Sequence, residues 1–220
     1  MSLVAGPDGW WLAPEGAAIH VEERTAVVAD VHLGYEWCRG SGGDVIPAHS
    51  LAETTAALGR LLDRATVDRL IVAGDLVESP RPCRRTDADL ARLREWLRAR
   101  GVDLVAIQGN HDPPRRPRAP DSIEVAGWTI AHGHRRVEAE RTMTGHDHPI
   151  LRVGRTIARC LLVGPKAIVL PALTDNAAGL NVAQSPSRWT SRDLRCWAGT
   201  GSRLLDFGPV DDLAGRLAAG

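Results

Sequence analysis

The sequence predicts an α/β fold in which two packed sheets carry helices on their outer faces. In the first half of the chain, short apolar runs rich in β-branched residues alternate with helical patterns, which is the rhythm of a parallel sheet with crossover helices. In the second half, short strand-like runs are broken by Gly and Pro turns, which favours a mostly antiparallel sheet. A length of 220 residues suits one sizeable core, so we expect residues 1–220 to form a single domain.

The parallel half rests on three predicted strands and two predicted helices. The strands are residues 25–29 (TAVVA), 69–73 (RLIVA) and 102–107 (VDLVAI), each short enough to be buried. A helix is predicted between the first two, because Ser50 and Glu53 form a capping box and the leucines that follow share one face. A second helix is predicted over residues 87–100, with Gly101 as its stop.

The second half contains four β-type runs and one late, weak helical pattern. The runs are residues 123–131, 150–153, 156–163 and 167–170, and the helical pattern covers residues 210–218. The basic, Pro-rich segment at residues 113–120 is predicted to be a loop.

Composition excludes several classes of protein. The net charge is zero, so overall charge favours no particular partner. There is no N-terminal targeting pattern and no stretch near the roughly 18 apolar residues of a membrane span. The four cysteines form no CxxC pair, which predicts reduced thiols in a cytoplasmic protein.

Polar clusters follow each predicted strand of the first half. They are ADVH at residues 29–32, GD at residues 74–75 and GNHD at residues 109–112, and the second half adds HGH at residues 132–134 and GHDH at residues 145–148. Ligands of open α/β sheets bind outside the carboxyl ends of the strands, so we expect these clusters to converge. A single Asp at a strand end is more often a turn or helix cap, but five clusters in series favour ligands.

This set of side chains suits a pair of divalent cations. Two ions about 3.5–4 Å apart can clamp a phosphate and generate hydroxide at neutral pH. Carboxylate, imidazole and amide ligands without a thiolate suit Mn²⁺, Fe or Zn²⁺. The sequence therefore predicts a two-metal phosphoesterase.

The order DxH, GD, GNHD, H, GHxH resembles the calcineurin-like metallophosphoesterase superfamily, with all five blocks in order between residues 30 and 148. The resemblance implies a four-layer αββα sandwich and in-line attack by a metal-bridging hydroxide. It also implies two metal ions, Mn²⁺ first among the candidates. One ion would be held by Asp30, His32 and His148, the other by Asn110, His132 and His146, with Asp75 bridging both.

The same resemblance implies a catalytic role for His111. It would lie over the phosphate as transition-state stabiliser or general acid, oriented by Asp112 or Glu78. His134 is expected to support the ligands or contact substrate, although it is equally compatible with no role.

A closer resemblance is to the bacterial ligase-associated DNA-damage-response endonucleases. The shared features are ADxHLG, the GHxHP pattern at residues 145–149 and the segment at residues 162–181, while Glu78 stands where that family often has His. The resemblance implies a DNA endonuclease acting on single-stranded or flapped DNA in repair, with a functional association with a DNA ligase or helicase.

Arginines are dense in the loops that should border the metals, although the protein is net neutral. Guanidinium groups there would hold the phosphates of a single DNA strand. The alternative is that they are solvated arginines of a GC-rich genome. The candidates are Arg81, Arg84 and Arg85 after Asp75, and Arg115, Arg116 and Arg118 after Asp112.

Other functions stay open at this level. GDLxE at residues 74–78 resembles the UDP-diacylglucosamine pyrophosphatases, but that family has Arg in place of His111 and a hydrophobic insertion, whereas residues 113–121 here are short and basic. A small phosphomonoesterase or cyclic-nucleotide phosphodiesterase is a further alternative. A binding module that had lost its chemistry should lack ligands, and none is missing from the five blocks.

Overall fold

The computed structural model describes residues 3–114, 119–185, 188–189 and 193–218. In chain order its strands and helices are β1 (Val4–Ala5), β2 (Trp10–Ala13), β3 (Ala17–His20), β4 (Thr25–Val28), α1 (Tyr35–Ser41), α2 (Ser50–Leu62), β5 (Arg69–Val72), α3 (Arg84–Arg98), β6 (Asp103–Ala106), β7 (Ser122–Val125), β8 (Trp128–Ala131), β9 (Thr142–Thr144), β10 (Pro149–Val153), β11 (Thr156–Val163), β12 (Ala167–Val169), β13 (Leu180–Asn181), β14 (Arg195–Gly199), β15 (Leu204–Pro209) and α4 (Val210–Ala218).

The first sheet has six strands in the order β1-β2-β3-β4-β5-β6. Strands β4, β5 and β6 are parallel, and α2 and α3 are their crossover connections, as predicted. The three N-terminal strands extend this sheet as an antiparallel meander. The carboxyl ends of the three parallel strands therefore lie at one edge, where the predicted ligand loops begin.

Helix α2 was predicted correctly, but the predicted cap was wrong. Ser50 is the first helical residue and His49 is the N-cap, without a side-chain cap hydrogen bond. The Ser50 hydroxyl instead accepts the backbone N–H of Gly34 at 3.1 Å. The hydroxyl that the capping box would direct to the helix N-terminus therefore binds a backbone N–H from another loop. Helix α3 begins three residues before its predicted start, because the leucine spacing marks only its later turns.

The second sheet has nine strands, of which β13-β10-β11-β12-β9-β8-β7 form one path, while β14 pairs with β11 and β15 with β14. Five of its eight strand pairs are antiparallel, while β9 is parallel to both β8 and β12, and β13 is parallel to β10. The predicted run over residues 123–131 is a hairpin, with Ala126 and Gly127 at positive φ in its turn. Strands β14 and β15 were not predicted.

The fold has four layers, helices–sheet–sheet–helix, and a buried cluster of apolar residues lies between each adjacent pair. Val28 of β4 packs against Leu61 of α2 on the outer face of the first sheet. Its neighbour Val27 points to the opposite face, where it joins Trp128 between the two sheets. On the outer face of the second sheet, Leu213 of α4 belongs to the third cluster. The expected αββα sandwich is confirmed. None of the helices in the described ranges is long and apolar enough to cross a membrane.

Candidate metal centre

The loops after β4, β5, β6, β8 and β9 meet at one edge of the sandwich. The backbone N–H of His32 donates to the carbonyl of Asp75 at 3.0 Å, which joins the first two loops. The N–H of His146 donates to Asp30 Oδ2 at 2.9 Å, and the N–H of His111 donates to Asp75 Oδ1 at 2.8 Å. The two carboxylates thus organise loops from both sheets, and the predicted clusters do converge.

Two groups made entirely of predicted ligands have the spacing of metal ligands, and a third group joins His32 to Glu78 and His111. Asp30, His32 and His148 form the first, and Asp75, His132 and His146 form the second; within each group one ligand atom per residue lies within 4.8 Å of the others. The first group contains the three residues predicted for one ion, and the second contains His132 and His146, predicted for the other ion, together with Asp75. Asp30, His32, Asp75 and His132 are buried, whereas His146 and His148 are half-buried.

Asp75 lies between the two groups. Its Oδ2 is 3.3 Å from Nε2 of His132, in the second group, and 4.0 Å from Nε2 of His32, in the first. Asn110 joins the second group, because its Oδ1 is 3.0 Å from the same His132 nitrogen. A carboxylate within reach of both groups has the position that a bridging ligand requires.

The donor atoms fit divalent cations. Oδ1 of Asp30, Nε2 of His32 and Nε2 of His148 are buried and have no hydrogen-bond partner among the described residues. The Asp30 and His148 atoms are 3.3 Å apart but lack hydrogen-bond geometry. A buried polar atom without a hydrogen-bond partner destabilises the fold by about 1–3 kcal/mol. Several such atoms around one volume therefore indicate that a ligand binds there. Oxygen and imidazole donors without a thiolate suit Mn²⁺, Fe or Zn²⁺.

The second ring nitrogen, Nδ1, of three of these imidazoles lies near a protein oxygen. His132 Nδ1 is 3.0 Å from the carbonyl of Ala73, and His148 Nδ1 is 3.0 Å from the carbonyl of Ala178. His32 Nδ1 is 2.8 Å from a carboxylate oxygen of Glu78 but lacks hydrogen-bond geometry. Such contacts fix the ring orientation and direct Nε2 to the site.

Backbone strain is concentrated at the ligands. Among the residues that the structure describes, nine non-glycine residues have positive φ, and five of these are predicted metal ligands, namely Asp30, His32, Asp75, His146 and His148. Left-handed backbone at a non-glycine residue costs on the order of 1–3 kcal/mol and persists where surrounding contacts enforce it. Here it turns carboxylates and imidazoles at strand ends towards one volume, which alternating strand geometry would not do.

Two glycines in the blocks allow the carboxylates to approach the backbone. A Cβ on Gly109 would lie 2.1 Å from Asp75 Oδ1, and a Cβ on Gly145 would lie 2.4 Å from Asp30 Oδ2. Neither glycine has positive φ, so the constraint is space and not backbone conformation. The sequence signal was present in the GNHD and GHDH blocks, but its cause is visible only in three dimensions.

Charge pairing shifts the pKa values of the central groups. Burial alone would raise the pKa of the Asp75 carboxyl, but the hydrogen bond and charge of His132 and the N–H of His111 outweigh it and lower the pKa to about 2. Burial opposes the charged form of His132 and of His148, yet Asp75 and Asp30 respectively outweigh it and raise both pKa values. The two carboxylates therefore favour positive charge on these two imidazoles.

The contacts of His111 differ from those expected. Its Nδ1 is 2.8 Å from the backbone carbonyl of Glu78, and its ring meets that of His32 edge-to-face with centroids 5.1 Å apart. The Glu78 carboxylate faces His32, and the Asp112 carboxylate accepts the backbone N–H groups of Val77 and Gly109 at 3.1 and 3.0 Å. A backbone carbonyl, which carries no sequence signature, therefore lies beside His111 Nδ1, where one of these carboxylates was expected.

The predicted substrate residues are distributed unevenly. His134 is half-buried, its ring centroid is 5.1 Å from that of His132, and it lines a cavity of about 400 Å³. Burial and the nearby charge of His132 lower its pKa. Arg81, Arg84 and Arg85 are exposed at the start of α3. The other three candidates, Arg115, Arg116 and Arg118, lie outside the described residues.

Sequence comparison finds similarity to several phosphoesterases. Residues 23–136, just over half of the chain, match the family described as calcineurin-like phosphoesterase. The chain is 37% identical over 105 residues to the DNA double-strand break repair protein Mre11 of Methanopyrus kandleri, which covers 46% of this chain and 22% of that protein. It is 41% identical over 114 residues to a probable cyclic nucleotide phosphodiesterase of Synechococcus sp., covering 48% of this chain and 41% of that protein. The chain thus spans less than half the length of either relative.

Structural comparison extends the likeness to most of the chain. The crystal structure of the Pseudomonas putida nuclease MPE superposes with a TM-score of 0.72, covering 94% of this chain and 99% of that one. Sequence identity in this superposition is 22%, so the likeness concerns the fold.

Proposed function

The chain belongs to the calcineurin-like phosphoesterase family, and on that premise we propose that it is a metal-dependent phosphodiesterase that cleaves DNA, acting on single-stranded or flapped strands in repair. The observation that carries the hydrolase assignment is the buried carboxylate of Asp75 between two groups of ligands. The DNA assignment rests on the exposed arginines near that centre and on the likeness to a DNA double-strand break repair protein, together with a fold shared with a nuclease.

The residues would hold two ions. Asp30, His32 and His148 would bind one, Asn110, His132 and His146 the other, and Asp75 would contact both. Bound together, two divalent ions clamp the phosphate and lower the pKa of water, which is the chemistry that ester hydrolysis needs. We propose Mn²⁺ as the ion that supports activity best, because the donors are oxygen and imidazole and the family resemblance implies it.

The chain's own contribution to the reaction centres on His111. Hydrogen bonding of Nδ1 to the Glu78 carbonyl and of the backbone N–H to Asp75 holds the residue in place. In the protonated ring, Nε2 is then free to donate to a phosphate or leaving-group oxygen. The five ligand blocks contain no serine or cysteine, so water is the nucleophile and no covalent enzyme intermediate forms.

A substrate panel tests the proposal. The protein is incubated with Mn²⁺ and single-stranded DNA, flapped DNA, duplex DNA, RNA, cyclic nucleotides or UDP-diacylglucosamine. Cleavage of single-stranded and flapped DNA is expected to exceed cleavage of the duplex, and EDTA is expected to abolish it. Turnover of a cyclic nucleotide without DNA cleavage would instead favour a second candidate function, cyclic-nucleotide hydrolysis. That candidate is supported by the 41% identity to a probable cyclic nucleotide phosphodiesterase. Full activity in EDTA would end the metal assignment.

A further inference from the structure

Two helices leave the metal centre side by side. The loop that carries His32 runs into α1, and the loop that carries Glu78 runs into α3, with the N–H of Glu78 donating to the carbonyl of Leu33 at 3.1 Å. Gly34 lies so near α3 that a Cβ on it would be 2.4 Å from Oγ1 of Thr86. The surface between the two helix N-termini therefore begins at the ligands themselves.

A cleft lies on this surface, which we call the α1–α3 cleft. It consists of two cavities of about 520 and 500 Å³ that share Trp37 and Cys83 as lining residues. Arg84 and Arg85 line the first cavity and Arg81 the second. Each cavity is large enough for a nucleobase, since ligand pockets begin at about 300 Å³.

Trp37 is held in a fixed orientation within the cleft. Its Nε1–H donates to Asp89 Oδ2 at 2.7 Å, and Asp89 is itself buried on α3. The Arg85 guanidinium lies over the indole, 4.9 Å from the ring centroid. The ring is only half-buried although it lies in the cleft. An indole whose N–H is hydrogen-bonded and whose ring is half-exposed can stack on a base with little further loss of side-chain entropy, because its orientation is already fixed.

The charges of the cleft suit a polyanion. Arg81 and Arg84 are exposed, and no salt bridge of either is found in the part of the chain that the structure describes. Of the two acids that line the cleft, Asp44 pairs with Arg39 at 2.6 Å. Buried Glu36 accepts the N–H of Ser50 with Oε1, while its Oε2 has no hydrogen-bond partner among the described residues. Positive charge is therefore left available beside the aromatic ring.

The wall opposite α3 is apolar. Val45 and Ile46, on the loop between α1 and α2, line the same cavity as Trp37, and Val45 is 99% exposed. A valine fully in water is an ordinary occurrence alone, but here it lines the same cavity as an indole.

We propose that the α1–α3 cleft is the subsite for an unpaired nucleobase of the DNA strand, with Trp37 as its stacking surface and Arg81, Arg84 and Arg85 as contacts for the adjacent phosphates. This inference rests on the proposed function and specifies how the substrate is recognised. Aromatic stacking accepts every base, so the cleft selects for strandedness and not for sequence. Paired bases in a duplex keep their faces covered, which gives a physical cause for a preference for single strands.

Binding measured without metal isolates the cleft from catalysis. A fluorescein-labelled oligothymidylate and an abasic strand of equal length are titrated with protein in EDTA, and anisotropy gives Kd. Trp37→Ala is expected to weaken binding of the oligothymidylate about 5- to 150-fold, the range for one stacked base, and to leave the abasic strand nearly unaffected.

The chain offers a matched control. Trp96 is also half-buried and also carries an arginine over its ring, with Arg100 at 3.9 Å from the centroid, but it lies at the opposite end of α3. Trp96→Ala is expected to change neither Kd. Trp37→Phe keeps a flat ring and should retain most of the affinity, while Trp37→Leu keeps bulk alone and should behave as the alanine variant. Should Trp37→Ala fail to fold, the Phe–Leu pair carries the comparison.

Equal losses on the thymidylate and abasic strands, or equal losses for Trp37→Ala and Trp96→Ala, would overturn the base subsite. That result would leave DNA cleavage by the wild-type protein intact, and with it the proposed function. If the wild-type protein neither binds nor cleaves any oligonucleotide, both proposals are wrong.

Discussion

The metal centre and the α1–α3 cleft are neighbours built in opposite ways. Asp30 and Asp75 are buried, have positive φ, and accept backbone N–H groups from loops of both sheets. Arg81 and Arg84 are exposed and sit on a loop and a first helical turn. The protein thus fixes the atoms that would hold metals by strain and burial, and leaves the groups that would meet a substrate adaptable.

This difference predicts two kinds of response to substitution. A change in the centre should act in an all-or-none manner, because each ligand also organises the loops around it. A change in the cleft should act by degrees, because exposed charges contribute separately and are screened by salt. The substitutions below test that contrast, beginning with the largest expected effect.

Asp75→Ala is expected to abolish activity, because it removes the carboxylate that lies between the two ligand groups. It also leaves the N–H of His111 without its acceptor. The control is Asp68→Ala, just before the other end of the same strand β5, where the carboxylate is exposed and paired with Arg24. Activity on an aryl phosphodiester and metal content by elemental analysis are measured for both. Retention of two ions and of activity in Asp75→Ala would show that no bridging carboxylate is needed.

His111→Ala is expected to slow turnover about 10²–10⁴-fold, the usual range for an acid–base group, while metal content stays near that of the wild type. A competing reading exists, since His111 also groups with His32 and Glu78 at metal-ligand spacing. Metal content decides between them. Loss of an ion in His111→Ala would make this residue a ligand and remove it from the acid–base role.

Gly145→Ala tests whether the centre depends on space alone. The new Cβ would lie 2.4 Å from Asp30 Oδ2 and 2.5 Å from Ala29 Cβ, so the carboxylate must move. A displacement of about 1 Å can cost about 10²-fold in rate, which is the expected loss. Gly215→Ala is the control, because a Cβ there meets nothing within 4 Å. Equal activity of the two variants would mean that the ligand loops are more compliant than their strain suggests.

The parallel half of the fold could be predicted from the sequence because its signals are local. The run at residues 69–73 is apolar after Arg69 and appears as β5 within one residue. Helix α1 was missed because it has only seven residues and begins after a left-handed Gly34, so no periodicity develops. Ser50 illustrates a limit of local patterns. The sequence contains a capping box, but the Ser50 hydroxyl accepts the backbone N–H of Gly34, which is distant in sequence, and does not cap α2.

In the candidate site, too, some residues could be predicted from the sequence and others could not. Its acids and imidazoles could be identified because motif order places them at strand ends, where a parallel sheet brings them together. The partner of the His111 ring could not, because the carbonyl of Glu78 is a backbone atom that any residue supplies. The place of Trp37 in the cleft was equally hidden, since the wall it faces belongs to a loop without a motif.

The exposed arginines should give the smallest and most graded effect. The double change of Arg84 and Arg85 to Ala removes two charges from the first turn of α3. If each contacts one phosphate of a single strand, the slope of log Kd against log salt falls by about 1.4, at roughly 0.7 per contact. The slope is measured by anisotropy in EDTA with the oligothymidylate, between low and physiological salt. An unchanged slope would remove both arginines from the strand path.

Overall charge alone could imitate this result, so the control removes the same charge elsewhere. Arg98 and Arg100 lie at the opposite end of α3, where Arg98 pairs with exposed Glu95 and Arg100 stacks on Trp96. Their double change to Ala lowers the net charge by the same amount and should leave the slope near the wild-type value, because counterions are released only where phosphates are bound. Equal slopes for the two double variants would mean that DNA responds to the charge of the whole protein. The cleft would then lose its role in binding the strand, and the contrast with the metal centre would rest on the ligands alone.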